Sequence, residues 1–320
     1  ETEEGTVRRS TGIDELDRVL GGGLVEGSLT LIGGDPGVGK STLMLSLFGH
    51  FSGSGTPALY VSGEESARQV RLRADRLGVR GDELHLLADT DLDAALAAAE
   101  RLRPGLVILD SVQTLHSPAL DGIPGAMGQV RLVAARSMAF AKSTGIPVFL
   151  VGHVTKTGGI AGPKVLEHLV DTVVYFQGES QSQLRVLRAT KNRFGSTGEL
   201  GFFEMTDKGL ESVPDPSARL LAERSTSSAG MAVVCALEGS RPLLVEVQSL
   251  VGRPIPATPA RTVLGLEKGR LNMLLAVLGK HGHALHDRDV FVSAAGGVRV
   301  LEPAVDLGIA TAVLSSLYER

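Results

Sequence analysis

The stretch GGDPGVGKST (Gly33–Thr42) decides the fold of this 320-residue chain. It carries a glycine, four further residues, and then glycine, lysine and serine, and it follows a short apolar run and precedes a segment with helical periodicity. Glycines allow backbone N–H groups to turn inward around a phosphate, and the N-terminus of the following helix adds its dipole. The stretch therefore predicts a phosphate-binding loop in an α/β fold.

Each position of this loop has an expected role in holding a nucleotide. The Lys40 ammonium should reach the β- and γ-phosphate oxygens, and the Ser41 hydroxyl should bind Mg²⁺. The expected cofactors are therefore ATP and Mg²⁺. The residues predicted to bind the nucleotide are Gly34, Asp35, Pro36, Gly37, Val38, Gly39, Lys40, Ser41 and Thr42.

The segments around the loop predict a mostly parallel sheet. Short, continuous apolar runs, typical of strands buried on both faces, alternate with segments of helical spacing. The predicted strands are Ser28–Gly34, Ala58–Gly63, Leu106–Asp110, Pro147–His153 and Asp171–Gly178, and the predicted helices are Ser41–Phe51, Ser66–Leu77, Asp91–Leu102 and Gly128–Ser143. Leu184–Lys191 and Glu199–Thr206 predict a closing antiparallel pair.

Polar side chains end three of these strands at the edge where the loop lies. Asp110 ends a buried strand, and its carboxylate is predicted to hold the metal through water. Glu64 and Glu65 follow the neighbouring strand. One of them can simply stabilise the N-terminus of the next helix, and Glu64, nearer the strand end, is the predicted general base. His153 is either structural or a sensor of the γ-phosphate that passes the signal into the segment Thr155–Gly162.

Composition excludes several classes of protein. The chain is 43% hydrophobic and 21% charged, as in ordinary globular proteins. No apolar run approaches the roughly 20 residues of a membrane span, and the N-terminus does not resemble a signal peptide. The single cysteine, Cys235, excludes an internal disulfide framework and favours a reducing cytoplasm. Its apolar neighbours predict a small core residue.

The charge is unevenly distributed, although the net charge is only −4. No acidic residue lies between Asp121 and Glu167, or within Gln181–Gly198. Such one-sided stretches indicate a surface that faces a polyanion, unless acids elsewhere on the same face balance them. The cations concerned are Arg131, Arg136, Lys142, Lys156, Lys164, Arg185, Arg188, Lys191 and Arg193.

A change of pattern near residue 214 predicts a second domain. The two prolines of PDPSA (Pro214–Ala218) should stop both helix and strand. Beyond them we predict strands at Met231–Gly239, Arg241–Val251 and Asp289–Ala294, and helices at Arg270–Gly279 and Val305–Tyr318. The predicted domains are residues 1–213 and a smaller α+β domain at residues 214–320.

Several segments together resemble the bacterial RadA (Sms) family of DNA-repair ATPases. They are STGIDELDRVLGGGLVEGS (Ser10–Ser28), the phosphate loop, YVSGEES (Tyr60–Ser66), VGHVTK (Val151–Lys156), AGPKVLEHLVDTVVYF (Ala161–Phe176) and KNRFG (Lys191–Gly195). The resemblance covers nearly the whole chain. It implies a RecA-like core followed by a domain similar to the Lon protease domain. It also implies a hexameric, DNA-stimulated ATPase that drives branch migration during recombination. Such an ATPase would move along DNA in the manner of the replicative ring helicases.

The resemblance also implies partners and roles. The implied partners are single-stranded and branched DNA, further copies of the chain in a ring, and a recombinase, and the implied location is at the nucleoid. In RecA-like rings, cations of one subunit reach the γ-phosphate that the next subunit holds. Lys191 and Arg193 alternate on one side of a strand end and are therefore expected to act in trans, while direct DNA contact by the same segment stays open.

DNA contact is expected in the central channel of the ring. The loops Ser111–Gly128 and Thr155–Gly162 follow strand ends and are rich in glycine, as the channel loops of RecA-like proteins are. Phosphate contacts position a DNA strand without reading its sequence, so binding should be sequence-blind and sensitive to salt. The residues expected to make these contacts are Arg131, Arg136, Lys156 and Lys164.

The chain departs from the family pattern in three respects. The family carries a four-cysteine zinc module ahead of the ATPase, so zinc is expected for the family, but its ligands are absent from these residues. The C-terminal domain is expected to end before the family's last strands and helices. Ala304 stands where a Lon protease has its serine, so no acyl-enzyme is expected. One alternative is a nucleotide-switched signalling ATPase or autokinase without DNA coupling. A second alternative is an ATP-dependent protease, although Ala304 argues against it.

Overall fold

The computed structural model describes residues 7–52, 55–153, 166–178, 183–222, 228–254, 258–297 and 300–320. The chain separates into two compact units, Glu1–Ser212 and Val213–Arg320. Among the described helices, none has the length and apolarity that crossing a bilayer requires.

Unit 1 is built on a large mixed sheet. Its strands are β1 (Arg8–Arg9), β2 (Leu24–Val25), β3 (Leu29–Gly34), β4 (Ala58–Ser62), β5 (Leu84–Ala88), β6 (Leu106–Asp110), β7 (Val148–Val151), β8 (Thr172–Gln177), β9 (Leu184–Asn192), β10 (Leu200–Thr206) and β11 (Gly209–Ser212). Its helices are α1 (Asp14–Leu20), α2 (Lys40–Ser52), α3 (Ala67–Arg76), α4 (Leu92–Leu102) and α5 (Met127–Thr144). In the described part of the chain, nine strands pair in the order β11-β10-β9-β8-β3-β7-β6-β4-β5, and β1 pairs with β2.

The six strands from β8 to β5 run parallel, and β9, β10 and β11 continue the sheet antiparallel. Alternate residues of the central strands are buried in two apolar layers. Ile32 of β3 lies in the layer that holds α1, α2 and α3, and Leu31 lies in the layer that holds α4 and α5. Burial on both faces explains why these strands are continuous apolar runs. The predicted α/β core with a mostly parallel sheet is confirmed.

Parallel strands bring their carboxyl ends to one edge of the sheet. There β3 continues into the phosphate loop and α2, and β4, β6 and β7 end at Ser62, Asp110 and Val151. The chain leaves β3 for β4 across β7 and β6, while β8 lies on the other side of β3. Such a reversal of strand order opens a crevice at the carboxyl ends of the strands, where α/β proteins bind ligands.

Unit 2 contains a smaller four-stranded sheet. Its strands are β12 (Met231–Glu238), β13 (Arg241–Gly252), β14 (Arg261–Leu264) and β15 (Asp289–Ala294), paired in the order β12-β13-β15-β14. Its helices are α6 (Pro216–Leu221), α7 (Lys268–Lys280) and α8 (Asp306–Tyr318), with short 3₁₀ turns at Ala295–Gly297 and Pro303–Val305. α8 packs against β12 and β13.

Two predictions for this unit are wrong. The prolines near residue 214 do not exclude a helix, because Pro216 occupies the first turn of α6, where its missing N–H is not needed, and Asp215 caps the helix by accepting from the Ala218 N–H. Cys235 is exposed rather than buried. Side chains alternate along β12, so Val234 and Ala236 face the core while Cys235 faces away from it.

Candidate functional site

The predicted phosphate loop joins the end of β3 to the start of α2. Gly39 has φ 114°, and a Cβ atom there would lie 2.8 Å from Cε of Met205, so this position accepts only glycine without strain. Lys40 is 4% exposed, and its Nζ donates to the carbonyl oxygens of Gly34 at 2.8 Å and Asp35 at 3.0 Å. Burial lowers the pKa of Lys40, and the carboxylates of Asp110 and Glu64 oppose that shift.

Asp110 lies at the end of β6, beside the loop. Its Oδ2 accepts a hydrogen bond from the Tyr60 hydroxyl at 2.5 Å, and its buried Oδ1 has no hydrogen-bond partner among the described residues. Burial raises the pKa of Asp110, while the Tyr60 and Ser41 hydroxyls act in the opposite direction. An unpaired carboxylate oxygen next to a serine hydroxyl is the oxygen donor set that Mg²⁺ prefers. The residues present therefore fit the metal of a nucleotide site.

The two glutamates after β4 lie in different environments. Glu64 Oε1 is 2.8 Å from Nε2 of His153 and accepts a hydrogen bond from the Ser111 hydroxyl. The bond from His153 is the largest cause that lowers the pKa of Glu64, and the bond from Ser111 adds to it. Glu64 is therefore a carboxylate at neutral pH. Glu65 instead pairs with Arg73 at 2.5 Å.

Sequence reasoning missed the residue that positions His153. The Val112 N–H donates to the Val151 carbonyl at 2.8 Å, which ends the ladder between the chains of β6 and β7. Beyond it, the Gln113 side chain accepts from the His153 N–H at 3.3 Å and donates to the His153 carbonyl at 3.2 Å. The Gln113 side-chain amide thus makes the two backbone hydrogen bonds to His153 that a neighbouring strand would make if β6 were longer. Only the position of Gln113 three residues after Asp110 hinted at this contact.

Lys40, Glu64, Asp110 and His153 all line one open pocket of about 570 Å³. A volume between about 300 and 1,000 Å³ is typical of sites for small molecules and cofactors. The predicted residues that the pocket brings together are Pro36, Gly37, Gly39, Lys40, Ser41, Thr42, Glu64, Asp110 and His153. Sequence reasoning missed two parts of its wall, the end of α3 with Arg73, Arg76 and Leu77, and the turn between β10 and β11 from Met205 to Gly209.

Lys191 and Arg193 lie at the opposite edge of the sheet from the loop of their own chain. Lys191 pairs with Val173 near the start of β8, whereas Gly34 pairs with Phe176 further along the same strand. Three residues of strand correspond to about 10 Å. Lys191 Nζ donates to the carbonyls of Glu167 at 2.6 Å and Val170 at 2.7 Å.

The residues next to Lys191 are fixed by side-chain contacts to other segments. Arg193 Nη1 lies 3.3 Å from Asp171 Oδ1. Asn192, between the two cations, donates to the Leu20 carbonyl at 3.2 Å. Burial, and secondarily the Arg193 charge, lowers the pKa of Lys191. The structure therefore does not bring Lys191 and Arg193 into the pocket of their own chain.

The predicted DNA contacts have different positions. Arg131 is exposed near the start of α5. Arg136 forms an ion pair with Asp93 and donates to the Ser117 hydroxyl at 3.2 Å, so its charge is partly balanced. Lys156, Lys164 and the segment 155–162 lie outside the described residues. The DNA-binding role of all four cations stays a prediction.

Comparison with known proteins identifies close relatives. The AAA domain family matches residues 6–159. The DNA repair protein RadA of Bacillus subtilis is 49% identical over 313 residues, which cover 98% of this chain and 68% of that protein. RadA of Pseudomonas aeruginosa is 52% identical, with 98% of this chain and 69% of that protein covered. RadA of Streptococcus pneumoniae is 49% identical, with 98% and 74% covered.

Solved structures agree in fold. A KaiC-like protein from Pyrococcus horikoshii superimposes with a TM-score of 0.55 and 19% identity over 65% of this chain and 100% of that one. A RadB recombinase does so with a TM-score of 0.50 and 24% identity over 64% of this chain and 99% of that one. At these identities the likeness shows the fold alone, a RecA-like α/β core.

The fold, the loop and the relatives lead to one conclusion. The buried Lys40, and Ser41 beside the Asp110 carboxylate, fit the ATP and Mg²⁺ that a RecA-like ATPase uses. Identity near one half extends over 98% of the chain. The chain is an ATPase that belongs to the bacterial RadA family of DNA repair proteins.

Proposed function

We propose that this ATPase is a ring-shaped motor on DNA that acts in recombination and repair. In this proposal six copies surround DNA, hydrolyse ATP at the interfaces between neighbours, and drive branch migration of recombination intermediates. Single-stranded and branched DNA are the partners, with a recombinase as a further one. The observation that carries the proposal is the position of Lys191 and Arg193 at the edge of the sheet opposite the loop.

Within one copy the pocket residues bind ATP and prepare water for attack. Lys40 would neutralise charge on the β- and γ-phosphates. Ser41, and Asp110 through water, would hold Mg²⁺, which would stabilise the charge that develops on the phosphate oxygens. Glu64 orients the attacking water and accepts its proton. Its lowered pKa keeps the carboxylate ionised and ready to accept, although it also makes Glu64 a weak base.

His153 couples the state of the nucleotide to the loops that face DNA. His153 donates to Glu64 from Nε2, and Gln113 bonds its backbone. A γ-phosphate that competes for this imidazole would free Glu64 to bind water. The resulting shift of His153 would move the segment 155–162, which follows it in the chain. It would also move the loop 111–128, because Gln113 in that loop bonds the His153 backbone.

The second half of each catalytic site comes from the neighbouring copy. Lys191 and Arg193 lie too far from their own loop to contact its phosphates, so in a ring they would reach the γ-phosphate held by the next copy. Cations that act in trans cannot assist hydrolysis until neighbours have assembled. ATP use would therefore depend on assembly and on DNA engagement.

Unit 2 is proposed as a scaffold that resembles the Lon protease domain without its activity. Ala304, in the 3₁₀ turn before α8, offers no nucleophile. DNA phosphates would be contacted in the channel by Arg131, Arg136, Lys156 and Lys164. Such contacts release counterions, so binding should weaken as salt rises.

The experiment that tests the function is ATP turnover with and without single-stranded DNA at two salt concentrations. Lys40→Ala is the control for contaminating activity. Stimulation by DNA that weakens at high salt is expected. Turnover that DNA does not change, together with phosphate incorporated into the chain, would instead favour a nucleotide-switched autokinase.

A further inference from the structure

Asp171 collects two cations at the edge of the sheet opposite the loop. Its side chain is 2% exposed, with Oδ2 lying 3.0 Å from Lys142 Nζ and Oδ1 lying 3.3 Å from Arg193 Nη1. Oδ2 also accepts from the Leu29 N–H at 3.1 Å, at the start of β3. One buried carboxylate thus fixes both cations to the strand that leads to the phosphate loop.

Neutralisation of Asp171 alone does not account for the position of Lys142. The carboxylate already has Arg193 and the Leu29 N–H, so a second cation leaves the cluster with excess positive charge. The described charged groups of the cluster are the cations Lys142, Lys191 and Arg193 and the carboxylates Asp171 and Glu167, which sum to +1. Buried carboxylates are usually balanced, so an excess cation favours an external anion as its partner.

The Lys142 ammonium is presented to solvent in a fixed place. It is 49% exposed and lies 5.7 Å from the centre of the Phe194 ring in the KNRFG segment. It belongs to the last turn of α5, where the helix dipole favours a cation. An ammonium has three N–H donors, so the ion pair with Asp171 leaves donors for an anion.

We propose that Lys142 is a third trans-acting cation, which together with Lys191 and Arg193 binds the triphosphate of a nucleotide held by the neighbouring copy. This inference rests on the proposed function, because it requires that this edge of the sheet meets the neighbour's pocket. Lys142 would bond a non-bridging oxygen of the γ-phosphate, and Arg193 would bond the same triphosphate with other N–H donors of its guanidinium while Nη1 stays on Asp171.

The test is complementation between two variants that are each impaired in turnover when assayed alone. Lys40→Ala lacks the loop lysine but keeps all three trans cations, whereas Lys142→Gln keeps the loop and lacks one trans cation. In a mixed ring, a Lys142→Gln copy next to a Lys40→Ala copy has a complete site. A lysine with a merely structural role in its own copy would not be restored in this way.

Lys142→Gln alone should lower kcat by about 10- to 100-fold with a change in KM of less than about threefold, as expected when one donor to the developing charge is removed. Lys142→Arg should recover most of the turnover. The mixture of Lys142→Gln with Lys40→Ala should exceed the sum of the two separate activities. Glutamine can still donate to Asp171, and unchanged binding of a fluorescent ATP analogue confirms the fold. Lys142→Met is a second variant should the first prove unstable.

Mixing Lys191→Ala with Lys40→Ala tests the proposed function separately. If that pair recovers activity and the Lys142→Gln pair does not, Lys142 acts only within its own copy and the inference is overturned while the trans arrangement stands. If neither pair recovers activity, the trans arrangement fails and the inference fails with it. An unchanged kcat for Lys142→Gln with a higher DNA requirement would assign Lys142 to DNA and also overturn the inference.

Discussion

Glu64 Oε1 and His153 Nε2 lie 2.8 Å apart, although their strands β4 and β7 are not neighbours in the sheet. β6 lies between them, and the Ser111 hydroxyl at its end donates to the same glutamate oxygen. Three strand ends are thus joined at one carboxylate. A movement of this carboxylate would therefore alter a contact at the end of each of the three strands.

Glu64→Gln should abolish turnover without abolishing nucleotide binding. The amide cannot accept a proton from water, and loss of a general base typically lowers the rate by about 10²- to 10⁴-fold. Turnover and the affinity for a fluorescent ATP analogue should be measured side by side. Glu65→Gln is the matched control and should stay within about threefold of the parent, because Glu65 faces Arg73 in a partly exposed pair. Equal losses in both variants would contradict the assignment.

The pH dependence of turnover should change in His153→Ala. With its pKa lowered, Glu64 stays ionised well below neutral pH, so kcat of the parent should be flat between about pH 6 and 8. Without His153 the main cause of the lowered pKa is gone, so protonation of Glu64 should begin at higher pH. We expect the fall in kcat at acid pH to start earlier in the variant. An identical profile shape would exclude His153 as the partner that keeps Glu64 ionised.

Asp110→Asn should stabilise the nucleotide-free protein while it removes Mg²⁺-dependent turnover. Burial raises the folded-state pKa of Asp110 above its unfolded value, so the folded state binds the proton more readily and the free energy of unfolding falls as pH rises through that window. Asparagine removes this cost, and its Oδ1 can still accept from Tyr60. The melting temperature at pH 8 should rise by about 2–4 °C, or about 1 kcal/mol for a domain of this size.

The control for Asp110→Asn is to compare the melting temperatures of the parent and the variant at acid pH as well as at pH 8. At a pH low enough to protonate Asp110 in both states, the parent and the variant should melt at nearly the same temperature. A variant that melts earlier than the parent at pH 8 would mean that the Asp110 charge is favourable in the folded protein, contrary to the direction of its pKa.

Gln113→Met should lower turnover through the position of His153 alone. Methionine has a similar length but removes both hydrogen bonds to the His153 backbone. A shift of the imidazole of the order of 1 Å is expected to lower kcat by roughly 10- to 100-fold with nucleotide affinity unchanged. Gln113→Glu is the graded control, since its carboxylate still accepts from the His153 N–H but cannot donate to the carbonyl. Turnover of Gln113→Met at the parent level would remove Gln113 from the site.

Lys191→Ala should keep nucleotide binding and lose DNA-stimulated turnover. Its ammonium lies at the edge opposite its own loop, so the affinity of the loop for ATP should not depend on it. DNA-stimulated kcat should be measured beside Lys280→Ala, an exposed lysine at the end of α7. Unchanged stimulated turnover in Lys191→Ala would contradict the trans role.

The centre of unit 1 was predictable because single short patterns specify it. The loop spacing and the continuous apolar runs of β3, β4 and β6 gave strands within a residue or two of those observed. β5 was missed because Leu84–Ala88 is an edge strand that is only partly buried, without a continuous apolar run. Cys235 was misplaced because an apolar neighbourhood in sequence does not say which face of a strand is covered.

Much of the site's wall could not be read from sequence because it depends on pairing between distant segments. Gln113 acquires its role only when β6 lies beside β7, and the turn at Met205–Gly209 reaches the pocket only through the antiparallel end of the sheet. Lys142 and Asp171 are 29 positions apart and meet only because α5 returns the chain to the start of the strands. Contacts of this kind carry no local signal.

Strand β3 ends in the phosphate loop and begins at Leu29, whose N–H is bonded by Asp171. Leu29–Ile32 pair with β7 and Thr30–Gly34 pair with β8, so the middle of the strand is paired on both sides, and a strand of six residues spans about 20 Å. A doubly paired strand cannot shorten or bend independently of its neighbours, so it behaves as a stiff rod. Under the proposed function, a shift of β3 by ATP at one end would therefore also move Asp171, and with it Lys142 and Arg193, at the other end. Successive subunits would then hydrolyse ATP in order, because a rigid-body tilt of one subunit would shift the cations that it offers to the next.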